Sequence, residues 1–219
     1  MRVGLLSDIH GNRVALEAVL EAMPAVDALV CAGDVVGYNP WHADCLEALR
    51  DRDVPTVSGN HDRAVADAGS FAFNSVAAAG VEHAREQLAP DQVAWLRDLP
   101  TQRWLFDDRL RLVHGHPDDP DRYTYARAFD AAMLGGADAL VLGHTHVQEH
   151  RAVDGGVVCN PGSVGQPRDG DPRAAFAVLD LADPSVEEHR VAYDVDAVMD
   201  AVEEAGLPSR IGKRLYGGR

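Results

Sequence analysis

Lysine is nearly absent from this sequence: Lys213 is the single lysine among 20 basic residues, against 35 acidic residues and a formal net charge of -15. A broad nucleic-acid-binding face needs Lys and Arg to displace counterions from phosphates, so this balance argues against one. An acidic, lysine-poor surface stays hydrated in strong salt, which fits a halophilic source and equally a codon bias toward Ala, Arg, Asp and Gly. Cysteine is scarce as well. Cys31, Cys45 and Cys159 lie far apart with no C-x-x-C pair, which disfavours a disulfide framework or a thiolate zinc site and fits reduced thiols. No stretch approaches the ~20 apolar residues of a membrane-spanning helix. The opening Met1 to Asp8 turns polar too early for a signal peptide. A cytoplasmic protein without a membrane partner is expected.

What is present suits a folded core. A length of 219 residues and a hydrophobic fraction of 46% fit one domain over residues 1–219. Apolar periodicity predicts strands at residues 2–6, 28–32 and 55–58, and helices at 14–23, 43–50, 75–88 and 91–99, the first of them capped by Asn12. Beyond residue 100 the character changes to strands, at 104–106, 110–113, 139–142, 157–159, 174–180 and 186–191, with a last helix at 195–204. Strand–helix alternation followed by mostly strands predicts an α/β fold of two packed mixed β-sheets with helices outside.

Metal-type ligands gather where these strands run out into glycine-rich loops: Asp8-Ile9-His10-Gly11-Asn12, Gly33-Asp34, Gly59-Asn60-His61-Asp62, His114-Gly115-His116 and Gly143-His144-Thr145-His146. Strand ends along one sheet edge are where α/β proteins collect their sites. In extended backbone, residues two apart face one side, so Asp8 with His10, and His144 with His146, are expected to address one point. A lone histidine or aspartate is more often structural than ligating; five loops of this kind reverse that expectation. The set is imidazole, carboxylate and carboxamide without thiolate, which suits Mn, Fe, Zn, Co or Ni. Asp8, His10, Asp34, Asn60, His114, His144 and His146 exceed the needs of one four-coordinate ion. Two divalent ions roughly 3.5–4 Å apart, sharing a carboxylate, would use all of them.

The ordered series DIHGN, GDVVGY, GNHD, HGH and GHTH resembles the calcineurin-like metallophosphoesterase superfamily, and NPGSVGQPR resembles its small prokaryotic phosphodiesterase branch. The resemblance implies a four-layer sandwich of two mixed sheets between helices. It implies Asp8, His10 and His146 on a first metal, Asn60, His114 and His144 on a second, and Asp34 bridging both, with manganese first among the metals above. His61 would be the catalytic histidine, protonating the leaving oxygen or steadying the phosphoryl group, and Asp62 would orient its imidazole. Asn60, His61 and Arg168 would contact the substrate, a small or nucleotide-like phosphate ester; Arg168, as an isolated arginine, could equally be a surface residue. The histidine of GNHD favours diesters, because an alkoxide leaving group benefits from an acid. A phosphomonoesterase, including a Ser/Thr protein phosphatase, is the enzyme alternative. A protein-binding scaffold, as in the retromer subunit of this fold, is the non-enzyme one. Family resemblance also makes a homodimer the assembly to expect.

Other residues carry weaker signals. His116 is expected to make a supporting hydrogen bond beside His114, and Tyr38 and Asn39 to pack the bridging-ligand loop. His42, His83, His150 and His189 have no motif around them and read as surface or packing residues. The turn-rich segment 117–127 follows the His114 loop directly and is expected to cover the site and select substrate.

Overall fold

The computed structural model describes residues 1–67 and 73–219. Among the described residues nine strands run in chain order: β1 (Arg2–Leu6), β2 (Ala28–Cys31), β3 (Gln102–Leu105), β4 (Leu110–Val113), β5 (Ala139–Val141), β6 (Gln148–Val153), β7 (Gly156–Pro161), β8 (Ala174–Asp180) and β9 (Ser185–Val191). The α-helices are α1 (Arg13–Ala22), α2 (His42–Arg50), α3 (Asn60–Ala66), α4 (Ser75–Gln87), α5 (Pro90–Asp98), α6 (Val195–Glu204) and α7 (Arg210–Lys213). The strands form two mixed sheets, one ordered β2-β1-β8-β9 and the other β3-β4-β5-β7-β6. β1 and β2 are parallel, as are β4, β5 and β7, and the remaining pairs are antiparallel.

Period-two alternation explains the packing. Val3 and Leu5 of β1, with Ala177 and Leu179 of β8, point into a core shared with Leu110, Leu112, Ala139, Val141, Val157 and Cys159 of the other sheet. Leu6, Phe176 and Val178 point the other way, onto Leu16, Val19, Leu46 and Leu49 of α1 and α2. Central strands buried on both faces read as continuous apolar runs, which is why β1, β5 and β8 stand out in sequence. Each fully buried Leu or Val here contributes roughly 1.5–3 kcal/mol. The second sheet's outer face is covered by 3-10 turns at Ala126–Ala128 and Ala131–Leu134, with Phe129, Met133 and Leu134 packed on Leu140 and Val158. The expected architecture, two mixed sheets flanked by helices, is therefore the one observed.

Local departures have local causes. Residues 55–58 do not form a strand; only Thr56 bridges to Cys31, because Pro55 offers no N–H to extend the ladder. β6 is a polar, exposed edge without alternation, and it forms because Asp154-Gly155 closes a two-residue hairpin onto β7. All three cysteines are free and buried. No helix among the described residues is long and apolar enough to cross a membrane.

Candidate metal centre

The carboxyl ends of β1, β2, β4 and β5 deliver Asp8, Asp34, His114 and His144 to one edge of the molecule. Their backbone is not the extended one expected from sequence. Asp8, His10, Asp34, His144 and His146 all adopt left-handed φ, at 52, 50, 54, 69 and 59°. L-residues avoid this region, at a cost of order 1–3 kcal/mol each, so the surroundings must impose it. Asp8 N–H donates to Gly33 O at 2.9 Å, His10 N–H to Asp34 O at 2.9 Å, and His144 N–H to Asp8 Oδ2 at 3.0 Å. The loops thus lock one another; Asp8 and His10 still reach one group of donor atoms, whereas His144 and His146 are divided between two.

Two groups of donor atoms result. Asp8, His10, Asp34 and His146 form one, and Asp34, His114 and His144 the other, each with its ligand atoms within 4.8 Å of one another. Asn60 joins the second, its Oδ1 standing 3.2 Å from His114 Nε2. Asp34 is common to both: its Oδ2 lies 3.6 Å from His10 Nε2 and 3.4 Å from His114 Nε2.

Tautomers follow from the backbone. A carbonyl only accepts, so His10 Nδ1 donates to Val36 O at 3.1 Å, His114 Nδ1 to Ala32 O at 2.7 Å, and His146 Nδ1 to Gln166 O at 2.6 Å. His144 uses its other nitrogen, Nε2, toward Asp121 O at 3.1 Å. The remaining nitrogens of His10, His144 and His146 keep their lone pairs. His10 Nε2 and His146 Nε2 face each other at 3.1 Å, and Asp8 Oδ1, buried and without a hydrogen-bond partner, faces His146 Nε2 at the same separation of 3.1 Å. Acceptors aimed at acceptors in a buried site repel unless a cation stands between them. The residues present therefore fit bound metal, and each imidazole has the backbone anchor that metal-ligating histidines usually have.

Titration tells the same story. Burial, then the neighbouring histidines and despite Asp34, holds His10 well below its ordinary value; burial and then His114 bring His144 down to about 4. Burial and Arg168 lower His146. Burial would lower His114 too, but Asp34, hydrogen-bonded to it, and Asp8 carry it up to about 9. The carboxylates ask for positive charge, and without metal a proton on His114 answers part of it.

His61 and Asp62 stand apart in role. Asp62 does not orient the His61 imidazole as expected. Its Oδ2 accepts from Asp34 N–H at 2.8 Å and Gly59 N–H at 3.0 Å, and its Oδ1 from Val35 N–H at 2.9 Å and Val36 N–H at 3.2 Å. Four backbone donors saturate this buried carboxylate, which clamps the Asp34 loop to the start of α3. Asp34 Oδ1 in turn accepts from His61 N–H at 2.8 Å. The His61 ring is held by packing instead, with centroids 4.7 Å from those of Tyr38, His10 and Phe73, while its Nδ1 has no hydrogen-bond partner. Gly37, at φ +93°, makes room for it: a Cβ there would lie 2.4 Å from His61 Nδ1. Asp62→Asn should replace one acceptor oxygen, and the two hydrogen bonds it takes, by an NH₂ facing buried N–H groups, costing roughly 2–5 kcal/mol and lowering Tm by roughly 5–15 °C. A variant that melts with the native protein would remove the clamp.

The centre opens into a cleft of ≈ 210 Å³ lined by Asp34, Asn60, His61, His144 and His146, and by Tyr38, Phe73, Tyr123, Arg168 and Arg214. Arg168 is brought to the site, donating to Tyr38 Oη at 3.3 Å and Gln166 Oε1 at 2.8 Å. Segment 117–127 supplies Tyr123, stacked on His144 at 4.1 Å, and the Asp121 carbonyl. Tyr38 packs its loop, as expected, and lines the cleft as well. His116 turns away: its Nδ1 accepts from Asp118 N–H at 3.1 Å within its own loop. His42 is buried, linking His83 at 3.0 Å to Gly37 N–H at 3.3 Å, and so backs the glycine that seats His61. Sequence offered no sign of Arg214 or of Tyr123 individually, since neither lies in a ligand motif.

Comparison with known proteins agrees with this geometry. A model described as the calcineurin-like phosphoesterase superfamily domain matches residues 1–184. The uncharacterized protein MJ0912 of Methanocaldococcus jannaschii is 29% identical over 239 residues, spanning 99% of this chain and 98% of its own length. Phosphodiesterase YfcE of Escherichia coli strain K12 is 31% identical over 192 residues, or 82% of this chain and 88% of its own. The crystal structure of a metallophosphoesterase from Sphaerobacter thermophilus superposes with a TM-score of 0.85 at 34% identity, covering 100% of this chain and 99% of that one.

Proposed function

The chain belongs to the calcineurin-like phosphoesterase superfamily, and from that membership we propose a phosphodiesterase of small or nucleotide-like esters that works with two divalent cations, manganese first, in a single catalytic domain of residues 1–219. The observation that carries the reading is the set of lone pairs converging on Asp8 Oδ1 and Asp34 Oδ2 in a buried site. Asp8, His10 and His146 would hold one ion, Asn60, His114 and His144 the other, and Asp34 both. Such ions neutralise phosphoryl oxygens and lower the pKa of water toward neutrality, so that hydroxide is available for in-line attack.

The protein's own residues do the rest. Arg168 and Asn60 bind phosphoryl oxygens, Arg168 with its guanidinium held between Tyr38 and Gln166. His61 delivers a proton to the leaving oxygen, and Tyr38 and Phe73 exclude water from its ring. Asp62 keeps Asp34 and the start of α3 in register.

Metal-stripped protein should be inactive, and Mn²⁺ added back should restore hydrolysis of a bis-aryl phosphate diester above that of the aryl monoester. Monoester preference would replace the diesterase reading by a phosphatase one. No turnover with Mn²⁺, Ni²⁺, Co²⁺ or Zn²⁺ would remove both.

A further inference from the structure

The catalytic reading uses the metal-facing wall of the cleft and leaves its basic side unexplained. Arg214 lines the cleft at the metal centre and also an adjoining hollow of ≈ 370 Å³, together with Arg210, Arg219 and the first turn of α4 at Asn74, Ser75 and Val76. Arg168 and Arg214 each place their guanidinium carbon 6.0 Å from the centre of the Tyr38 ring, so one phenol is flanked by two cations.

Among the described residues these arginines pair with no acidic side chain. Arg13, Arg50, Arg63, Arg109, Arg173 and Arg190 each pair with a carboxylate. No Asp or Glu side chain among the described residues lies within ion-pairing distance of Arg168, Arg210 or Arg214. The Arg168 side chain donates to Tyr38 and Gln166, and Arg214 Nε donates to the main-chain oxygen of Arg219, the last residue of the sequence. Burial, then Arg168 and Arg210, lowers the Arg214 pKa, as crowded cations without an anion should. Crowding half-buried cations together is costly unless an anion regularly occupies the space. The helix end is not the attraction, because Asn74 Oδ1 already takes the N–H groups of Val76 and Ala77. Arg210 and Arg214 also lie beyond residue 184, outside the segment the superfamily model matches.

We propose that this arginine hollow is a second anion subsite, and that the substrate is a phosphodiester carrying a further phosphoryl group next to the scissile one. The inference rests on the phosphodiesterase reading and specifies its substrate class. Guanidinium forks suit phosphoryl oxygens, which they can hold in pairs. A cluster this small provides far fewer contacts than the six to ten phosphates a duplex-binding surface would neutralise, so the ligand is small.

Two matched probes test it: thymidine 5′-(p-nitrophenyl phosphate), and the same ester bearing a 3′-phosphate. The native enzyme is expected to show a KM at least about tenfold lower for the 3′-phosphorylated probe, the effect of one or more charge-assisted hydrogen bonds. In Arg210→Gln/Arg214→Gln the ratio should approach one; if that protein does not fold, Arg210→Gln, altered only at an exposed position, should reduce the ratio. A ratio near one in the native enzyme, or one unchanged in the variants, overturns the subsite. If neither probe is hydrolysed, the diesterase reading has failed separately. Calorimetric titration with inorganic pyrophosphate then decides the subsite alone. Binding by the native protein that the variants lose sustains it, and equal binding or none overturns it.

Discussion

Asp34→Asn protein is expected to fold, to retain at most one equivalent of divalent cation per chain, and to lose turnover to background. The substitution keeps the shape of the side chain, and its carbonyl oxygen can still accept from His61 N–H as Asp34 Oδ1 does at 2.8 Å. What it removes is the anionic Oδ2, 3.6 Å from His10 Nε2 and 3.4 Å from His114 Nε2. A neutral NH₂ there presents hydrogens toward both positions where a cation would sit. Among the described residues, no other carboxylate belongs to both donor groups. Metal content after Mn²⁺ loading and desalting, with a melting curve as the control for folding, measures the first part, and kcat on a bis-aryl diester the second. Two retained equivalents with kcat within about tenfold of native would show that the shared carboxylate is dispensable, contrary to the usual dependence of paired-metal sites on a bridging clamp.

The same carboxylate shows where sequence was legible. Asp34 and His144 each stand after an apolar run and beside a glycine, and Asp8 follows an apolar run as well; buried strands and their ends announce themselves by hydrophobicity alone. The side of the cleft built from other segments does not. Arg214 arrives from the last short helix, Tyr123 from a turn-rich loop, and both reach the cleft only through tertiary packing. α3 was missed because its seven residues lack an apolar stripe, and it is nucleated by Asp62 accepting from Gly59 N–H at 3.0 Å. β6 was missed because its first four residues, Gln148 to Arg151, are all polar, although Asp154-Gly155 was a readable hairpin turn. The expectation that Asp8 and His10 share a side through extended backbone reached the right grouping by the wrong geometry. Left-handed φ at alternate positions is not visible in composition, since Asp and His tolerate it only when neighbouring loops enforce it.

Asp62 is the sharpest case, and it changes what must be asked of His61. With Asp62 fully occupied by backbone N–H groups, no carboxylate raises the basicity of the His61 ring through its Nδ1. Burial first, opposed by Asp34 and reinforced by His146 and Arg168, brings its pKa down to about 4. At pH 7 the free ring is therefore neutral, and it must gain a proton beside an anionic substrate before it can give one to a leaving group. Two results follow. In the native enzyme, the ratio of kcat/KM for an alkyl-leaving diester to that for a nitrophenyl-leaving one should rise as pH falls below 7, because only the alkoxide needs the proton. Taking the ratio cancels any change in metal occupancy. In His61→Ala, turnover of the alkyl diester should fall by about 10²–10⁴-fold, and that of the nitrophenyl diester by no more than about tenfold. Equal losses on the two esters, with a flat pH ratio, would mean that His61 holds the phosphoryl group through a neutral N–H and that departure of the alkoxide is assisted by the metals alone.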